Sequence, residues 1–196
     1  MVERQLRGRG IEDPRVLAAM TEVPRELFLP EDRRRRAYRD GAVRIGEGQT
    51  MSQPWIVACM AQLLELSGEE RVLEVGTGSG YAAAVLSRLC REVVTIERFD
   101  SLAEAAAGAL DQLGYANVEV RVGDGTRGAP ERAPFGGISV TAAAHDQPPP
   151  ALFDQLAPGA ALVCPVERGR RELLMRFRDG QEEAVTGVRF VPLVSP

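Results

Sequence analysis

Residues 71–81 read RVLEVGTGSGY, and the order of residue types in them decides the fold. Five residues of strand character, 71–75, run into Gly76, Gly78 and Gly80, and a good helix former, YAAAVLSRLC (81–90), follows at once. An apolar run this short, bounded by glycines, suits a strand buried on both faces. Glycine permits positive φ and lets another group come close to the backbone. The first turn of a helix leaves N–H groups free to receive an anion.

The same alternation continues downstream. The β-branched VVTIE (93–97) precedes SLAEAAAGALDQLG (101–114), and VEVRV (118–122) stops at GDG. ISVTAAA (138–144) leads through a proline-rich loop to a short helix, PALFDQLA (150–157), and ALVCPV (161–166) reads as a fifth strand. Strand–helix alternation implies an α/β fold with a doubly wound, mostly parallel, Rossmann-like sheet, which binds ligands at the carboxyl ends of its strands. ELLMRFR (172–178) and AVTGVRFVPL (184–193), joined by RDGQ, read as a C-terminal antiparallel hairpin.

Upstream, residues 1–66 read as mostly helical. Asp13 followed by Pro14 is a cap and a first-turn proline, and the helix should reach Val23-Pro24. Residues 40–48 read as a loop or short irregular strand. Pro54 opens an apolar helix expected to run from Trp55 to Leu66. The chain of 196 residues suits a single domain, 1–196, with an N-terminal helical segment (1–66) and an α/β core (67–196).

Composition narrows the class. With 44% hydrophobic and 27% charged residues the chain is globular, and no apolar run has the roughly 18 residues that span a bilayer. MVERQLRGRG lacks the apolar centre of a signal peptide, so no membrane partner and a cytoplasmic location are expected. A net charge of −4 argues against nucleic acid as a partner. The run RRRR at 33–36 reads as a solvated face. Cys59, Cys90 and Cys164 sit far apart in apolar contexts, with neither disulfide nor metal-ligand spacing, and read as buried thiols.

Two acids complete the glycine cluster. Glu97 ends the second strand of the alternating zone, where a carboxylate accepts from ribose hydroxyls. Asp124 ends the third, where a carboxylate accepts from an adenine amine and Gly125 leaves room for the ring. GTGSG carries no basic residue for a phosphate. Together these describe a nucleoside site without phosphates, which S-adenosylmethionine fits. Methyl transfer from a sulfonium chiefly needs alignment and desolvation of the acceptor. His145 is the one histidine, so bases are scarce, and a carboxylate acceptor needs none at neutral pH. The stretch GQTMSQP (48–54) stands before the apolar helix, and Ser52 in it reads as a helix cap, a site residue, or both.

Several stretches then show a resemblance that covers nearly the whole chain: MVERQL, DPRVLAAMTEVPRELFLP, IGEGQTMSQPWIVACMAQLLEL, RVLEVGTGSGYAAAVL, the acid of VVTIE, LGYANVEVRVGDG, VTAAA and RFVPLV. The chain resembles the protein-L-isoaspartate O-methyltransferase family. The resemblance implies methyl transfer from S-adenosylmethionine, leaving S-adenosylhomocysteine, to the free carboxylate of isoaspartyl residues in damaged proteins and peptides. The ester then closes to a succinimide that reopens partly as aspartate. No metal is implied, and a monomer is expected. Gly76, Gly78, Ser79 and Gly80 match the loop around the methionine part of the cofactor, Glu97 the ribose acid, and Asp124 with Gly125 the adenine contact. Gln49, Thr50, Met51 and Ser52 match the segment that closes over donor and acceptor, with Ser52 as the catalytic serine orienting the acceptor carboxylate. Thr141 and Ala142 of VTAAA match the acceptor side, and Val191 and Val194 match peptide-binding backbone positions.

The chain departs from the family pattern at Gly136-Gly137, at His145-Asp146 after VTAAA, and at Val194, where some members carry a hydroxyl. The second and third readings are a carboxyl methyltransferase of the same family acting on aspartate of one dedicated peptide, motivated by the first two departures, and a non-catalytic S-adenosylmethionine-binding protein. Trp55 and Tyr81 read as packing residues, and His145 as a loop residue.

Overall fold

A computed structural model describes residues 1–194. Helix α1 spans Pro14–Glu22, with the Asp13 carboxylate accepting from the backbone N–H of Arg15 (2.7 Å) and Val16 (3.4 Å), as its sequence position implies. A 3-10 stretch, Glu31–Arg36, carries the arginine run, and none of its residues is buried. Strands β1 (Val43–Gly46) and β2 (Gln49–Met51) form a small antiparallel hairpin. Glu47 (φ 48°) and Gly48 (φ 70°) both take left-handed backbone, as a two-residue hairpin turn requires. The strand in 40–48 is therefore present, and its partner is QTM. Helix α2 spans Pro54–Leu63 and stops short of the expected Leu66, because Glu65 turns into left-handed backbone (φ 52°).

The main sheet follows. Strand β3 is Arg71–Val75, helix α3 Tyr81–Ser87, strand β4 Glu92–Glu97, helix α4 Asp100–Gln112, and strand β5 Val118–Val122. Strand β6 is Phe135–Val140, β7 Ala144–His145, α5 Pro150–Phe153, β8 Leu156–Arg168, β9 Arg171–Arg178 and β10 Gln181–Gly187. The order is β10-β9-β8-β6-β3-β4-β5, with β7 beside β8. Pairings from β5 to β8 are parallel, and the last two are antiparallel. The chain winds outward from β3 to β5, then returns to lay β6 on the other side of β3. The carboxyl ends of β3 and β6 thus form the switch point where such sheets bind ligands.

Alternate side chains fill both faces. Leu73, Val75, Ile138 and Val140 pack with Leu152 and Leu162 on one side. Val72 and Val93 pack on the other side with α2, α3 and α1, and Leu6, Met20 and Phe28 of the N-terminal segment join this same cluster. Each such buried side chain stabilises by about 1.5–3 kcal/mol relative to exposure.

Two expectations need correction. The terminal hairpin turns at Asp179-Gly180 as expected, but its last strand ends at Gly187, not 193. Residues beyond it leave the sheet edge and reach the strand ends, where Val191 O accepts from Ala143 N (2.8 Å) and Leu193 N donates to Ala143 O (2.7 Å). Pro192, with no N–H, sits between these two bonds. Nor does Ser52 cap α2: the cap position is Gln53, which makes no side-chain cap bond, and Pro54 alone accounts for the start.

The structure also gives Gly136-Gly137 a use. A Cβ at Gly136 would overlap the Glu70 side chain, and one at Gly137 would stand 3.3 Å from both Leu64 and Leu66. The loop from α2 to β3 lies directly on these glycines, with Glu70 accepting from Ser67 N (2.7 Å) and Gly68 N (2.8 Å). This packing fixes where β3, and so the glycine loop, emerges.

Candidate active site

The glycine loop turns off β3 with Gly76 at φ 95° and Gly80 at φ 84°. Gly76 cannot be otherwise, since a Cβ there would overlap Thr141 Oγ1. Thr141 joins the two strand ends: its N–H donates to Val75 O (2.8 Å) and its hydroxyl to Gly76 O (2.7 Å). At the end of β4, Glu97 accepts from Gly78 N (2.8 Å), Arg98 N (2.9 Å) and Phe99 N (3.1 Å). The carboxylate thus holds the loop in shape while remaining on the wall of a cavity of about 330 Å³.

That cavity is lined by most of the residues singled out in the sequence: Gln49, Thr50, Met51 and Ser52; Gly76, Gly78 and Ser79; Glu97 and Gly125; Thr141, Ala142, Val191 and Val194. Two, Gly80 and Asp124, do not line it. Gly80 serves as the N-cap of α3. The Asp124 carboxylate accepts from Thr126 N (2.9 Å) and Thr126 Oγ1 (2.6 Å), shaping its own turn, while Gly125 forms the surface. Gly125 packs so closely on Val75 that a Cβ would overlap it. Phe99 and Arg98 also line the cavity and were not singled out; an aromatic two residues after a strand-end acid was the available signal. Tyr81 is 1% exposed and packs edge-on to Phe28, as a packing residue should, yet it also borders the cavity.

A second, larger groove of about 810 Å³ meets the first at Thr50, Ser52, Thr141 and Val191. Trp55, Glu172, Thr186 and Phe190 are among its other walls, and Glu172 accepts from Phe190 N (2.6 Å), tying the terminal segment to β9. His145 and Asp146 pair with each other (3.1 Å) on the surface and line neither space.

Two buried groups behind the walls escaped the sequence reading. Glu74, fully buried, accepts from Thr95 Oγ1 (2.6 Å), which in turn meets Thr77 Oγ1 (2.7 Å) in the glycine loop. Burial pushes the Glu74 carboxyl up to about 8; the Thr95 bond opposes this and the nearby Glu97 charge adds to it. Arg25, also 0% exposed, donates from Nε to Ala37 O (2.7 Å) and from Nη2 to Ser52 O (2.5 Å), with its guanidinium 4.6 Å from the Tyr81 ring centre. Burial lowers its pKa, opposed chiefly by Tyr81.

The residues present fit S-adenosylmethionine. Among the described residues Glu97 is the sole carboxylate on the donor cavity, beside a glycine loop free of lysine and arginine, so the wall suits ribose hydroxyls and an amino-acid tail rather than phosphates. With an open groove for a second reactant beside it, this arrangement on a doubly wound sheet defines an S-adenosylmethionine-dependent methyltransferase. Comparison with known proteins narrows this further. The chain belongs to the protein-L-isoaspartate O-methyltransferase family: the model of that family, Protein-L-isoaspartate(D-aspartate) O-methyltransferase, matches residues 1–196. A protein of this name from Methanoregula boonei is 53% identical over 99% of this chain and 91% of its own length. Another, from Pelotomaculum thermopropionicum, is 54% identical over 99% of this chain and 86% of its own. Among solved structures, a protein-L-isoaspartate O-methyltransferase superposes with a TM-score of 0.85 at 31% identity, over 98% of this chain and 65% of the longer solved chain. A Plasmodium falciparum structure described as of the same family, in complex with S-adenosyl-L-homocysteine, shares the fold with a TM-score of 0.86 at 24% identity, over 100% of this chain and 97% of its own.

Proposed function

We infer that this protein methylates the free carboxylate of isoaspartyl residues in proteins and peptides, using S-adenosylmethionine, and so starts their repair through a succinimide. One observation supports the reading beyond family membership: Ser52 stands where the donor cavity meets the groove, so a carboxylate presented from the groove meets the donor side at that residue. When bound, S-adenosylmethionine supplies the methyl group as a sulfonium. Glu97 would take the ribose, the N–H groups of Thr77 and Ser79 would take the methionine carboxylate, since those of Gly76, Gly78 and Gly80 already donate within the protein, and Gly125 would admit the adenine face. Ser52 donates to one acceptor oxygen, leaving the other to attack. Gln49, Thr50 and Met51 close over the reacting atoms and exclude water. Thr141 and Ala142 form the floor, and Val191 and Val194 guide the peptide along the groove. The acceptor arrives ionised, so no general base is called for.

The reading takes the protein as a cytoplasmic monomer working on aged polypeptides. Its three buried free thiols suit a reducing compartment, and gel filtration tests the monomer. The dedicated-peptide alternative loses support, because His145-Asp146 borders neither space and Gly136-Gly137 seats the α2–β3 loop. The function is tested by incubating the protein with labelled donor and two peptides of one sequence, one isoaspartyl and one aspartyl. Methyl ester confined to the isoaspartyl peptide is expected; an unmethylated isoaspartyl peptide would reject the function.

A further inference from the structure

The acceptor in the proposed reaction is an anion, yet the donor cavity's own cation, Arg98, stands beside Glu97 at the ribose end. The groove has arginines on its walls, but Arg9 is tied to Asp40 (3.3 Å), and Arg170, Arg171 and Arg189 are exposed, where water and salt screen them. Arg25 differs from all of these. It is wholly buried, it forms no ion pair among the described residues, and Nη1 has no hydrogen-bond acceptor. A guanidinium does not shed its proton at neutral pH. A buried charge without a counter-charge is costly, and its field is weakly screened. Its Nη2 bonds the carbonyl of Ser52 itself, while its face lies on Tyr81, the first residue of the helix that follows the glycine loop.

We propose that Arg25 is a positioning residue for the acceptor. It fixes Ser52 by its carbonyl and supplies, from behind the wall, the positive field that draws the isoaspartyl carboxylate to that serine. The inference rests on the proposed function and adds the group that makes the site select an anion. It touches neither donor nor acceptor, so its loss acts on acceptor binding far more than on the cofactor.

The test compares an isoaspartyl peptide with the same peptide carrying a neutral carboxamide in place of the acceptor carboxylate. The first is read as KM for methylation and the second as an inhibition constant, with S-adenosylhomocysteine affinity measured by calorimetry. In Arg25→Met the KM should rise tenfold or more, while the carboxamide constant and S-adenosylhomocysteine affinity stay within about twofold. Arg25→Lys, which keeps a charge, should hold the preference for carboxylate over carboxamide within about threefold of the parent. Should Arg25→Met fail to fold, as judged by circular dichroism, the lysine variant alone decides. Equal weakening of both peptides, a matching loss of cofactor affinity, no change at all, or a lost preference in a folded lysine variant would overturn the proposal. No methylation of the isoaspartyl peptide by the parent protein would instead count against the function on which it rests.

Discussion

Glu74→Gln should flatten the dependence of stability on pH. Glu74 is completely buried, one carboxyl oxygen has no hydrogen-bond partner, and burial lifts its pKa from 4.5 to about 8. Between those values the folded chain keeps a proton that the unfolded chain releases. The stability that this group contributes is therefore greatest below about pH 4.5, falls as pH rises through the window, and levels off above the folded value. Linkage between these two pKa values gives a loss of roughly 3–4 kcal/mol from pH 5 to pH 8, at about 1.36 kcal/mol per tenfold change. Glutamine has the same shape and does not titrate. Its amide also lacks an acceptor, a cost of about 1–3 kcal/mol that does not vary with pH. The readout is therefore the slope of the difference, not its offset. Urea unfolding of both proteins at pH 5, 6, 7 and 8 measures it, since other titrating groups cancel in the comparison. The difference should move steadily in favour of the variant as pH rises. Parallel curves would refute the reasoning and mean that Glu74 is ionised in the folded protein.

Glu97→Gln should weaken S-adenosylhomocysteine binding by thirtyfold or more in calorimetry, because a carboxylate that accepts three backbone N–H groups becomes half donor, at a cost of roughly 2–3 kcal/mol. Ser52→Ala should cut kcat for isoaspartyl methylation by about 10²-fold, on the scale of a lost positioning contact, and leave S-adenosylhomocysteine affinity within about twofold. Gly136→Ala should cost about 1–3 kcal/mol in urea unfolding through its overlap with Glu70, without changing cofactor affinity at temperatures where it is folded.

Features set by local chemistry were legible in the sequence. The strands around the glycine loop are short β-branched or apolar runs, and buried parallel strands demand such runs. Asp13-Pro14 capped a helix as read, and Asp179-Gly180 made a turn. What depended on distant partners was not legible. QTM is three residues long and becomes a strand only against Val43–Gly46. The segment after Gly187 had the alternation of a continuing strand, but the pull of the Ala143 backbone takes it to the site. Arg25, in PRELF, looks like any surface arginine until the carbonyls of Ala37 and Ser52 close on it. Of the site, the donor side was readable because its residues flank strand ends in order. The acceptor side was readable only as a resemblance, since its walls come from the two ends of the chain.

The central claim is that the groove at Ser52 presents an isoaspartyl carboxylate to the donor, and initial rates on the paired peptides test it most directly. The account predicts saturable, stoichiometric methyl ester formation on the isoaspartyl peptide and background levels on the aspartyl one. Equal rates on both peptides, or transfer to the aspartyl peptide alone, would contradict it.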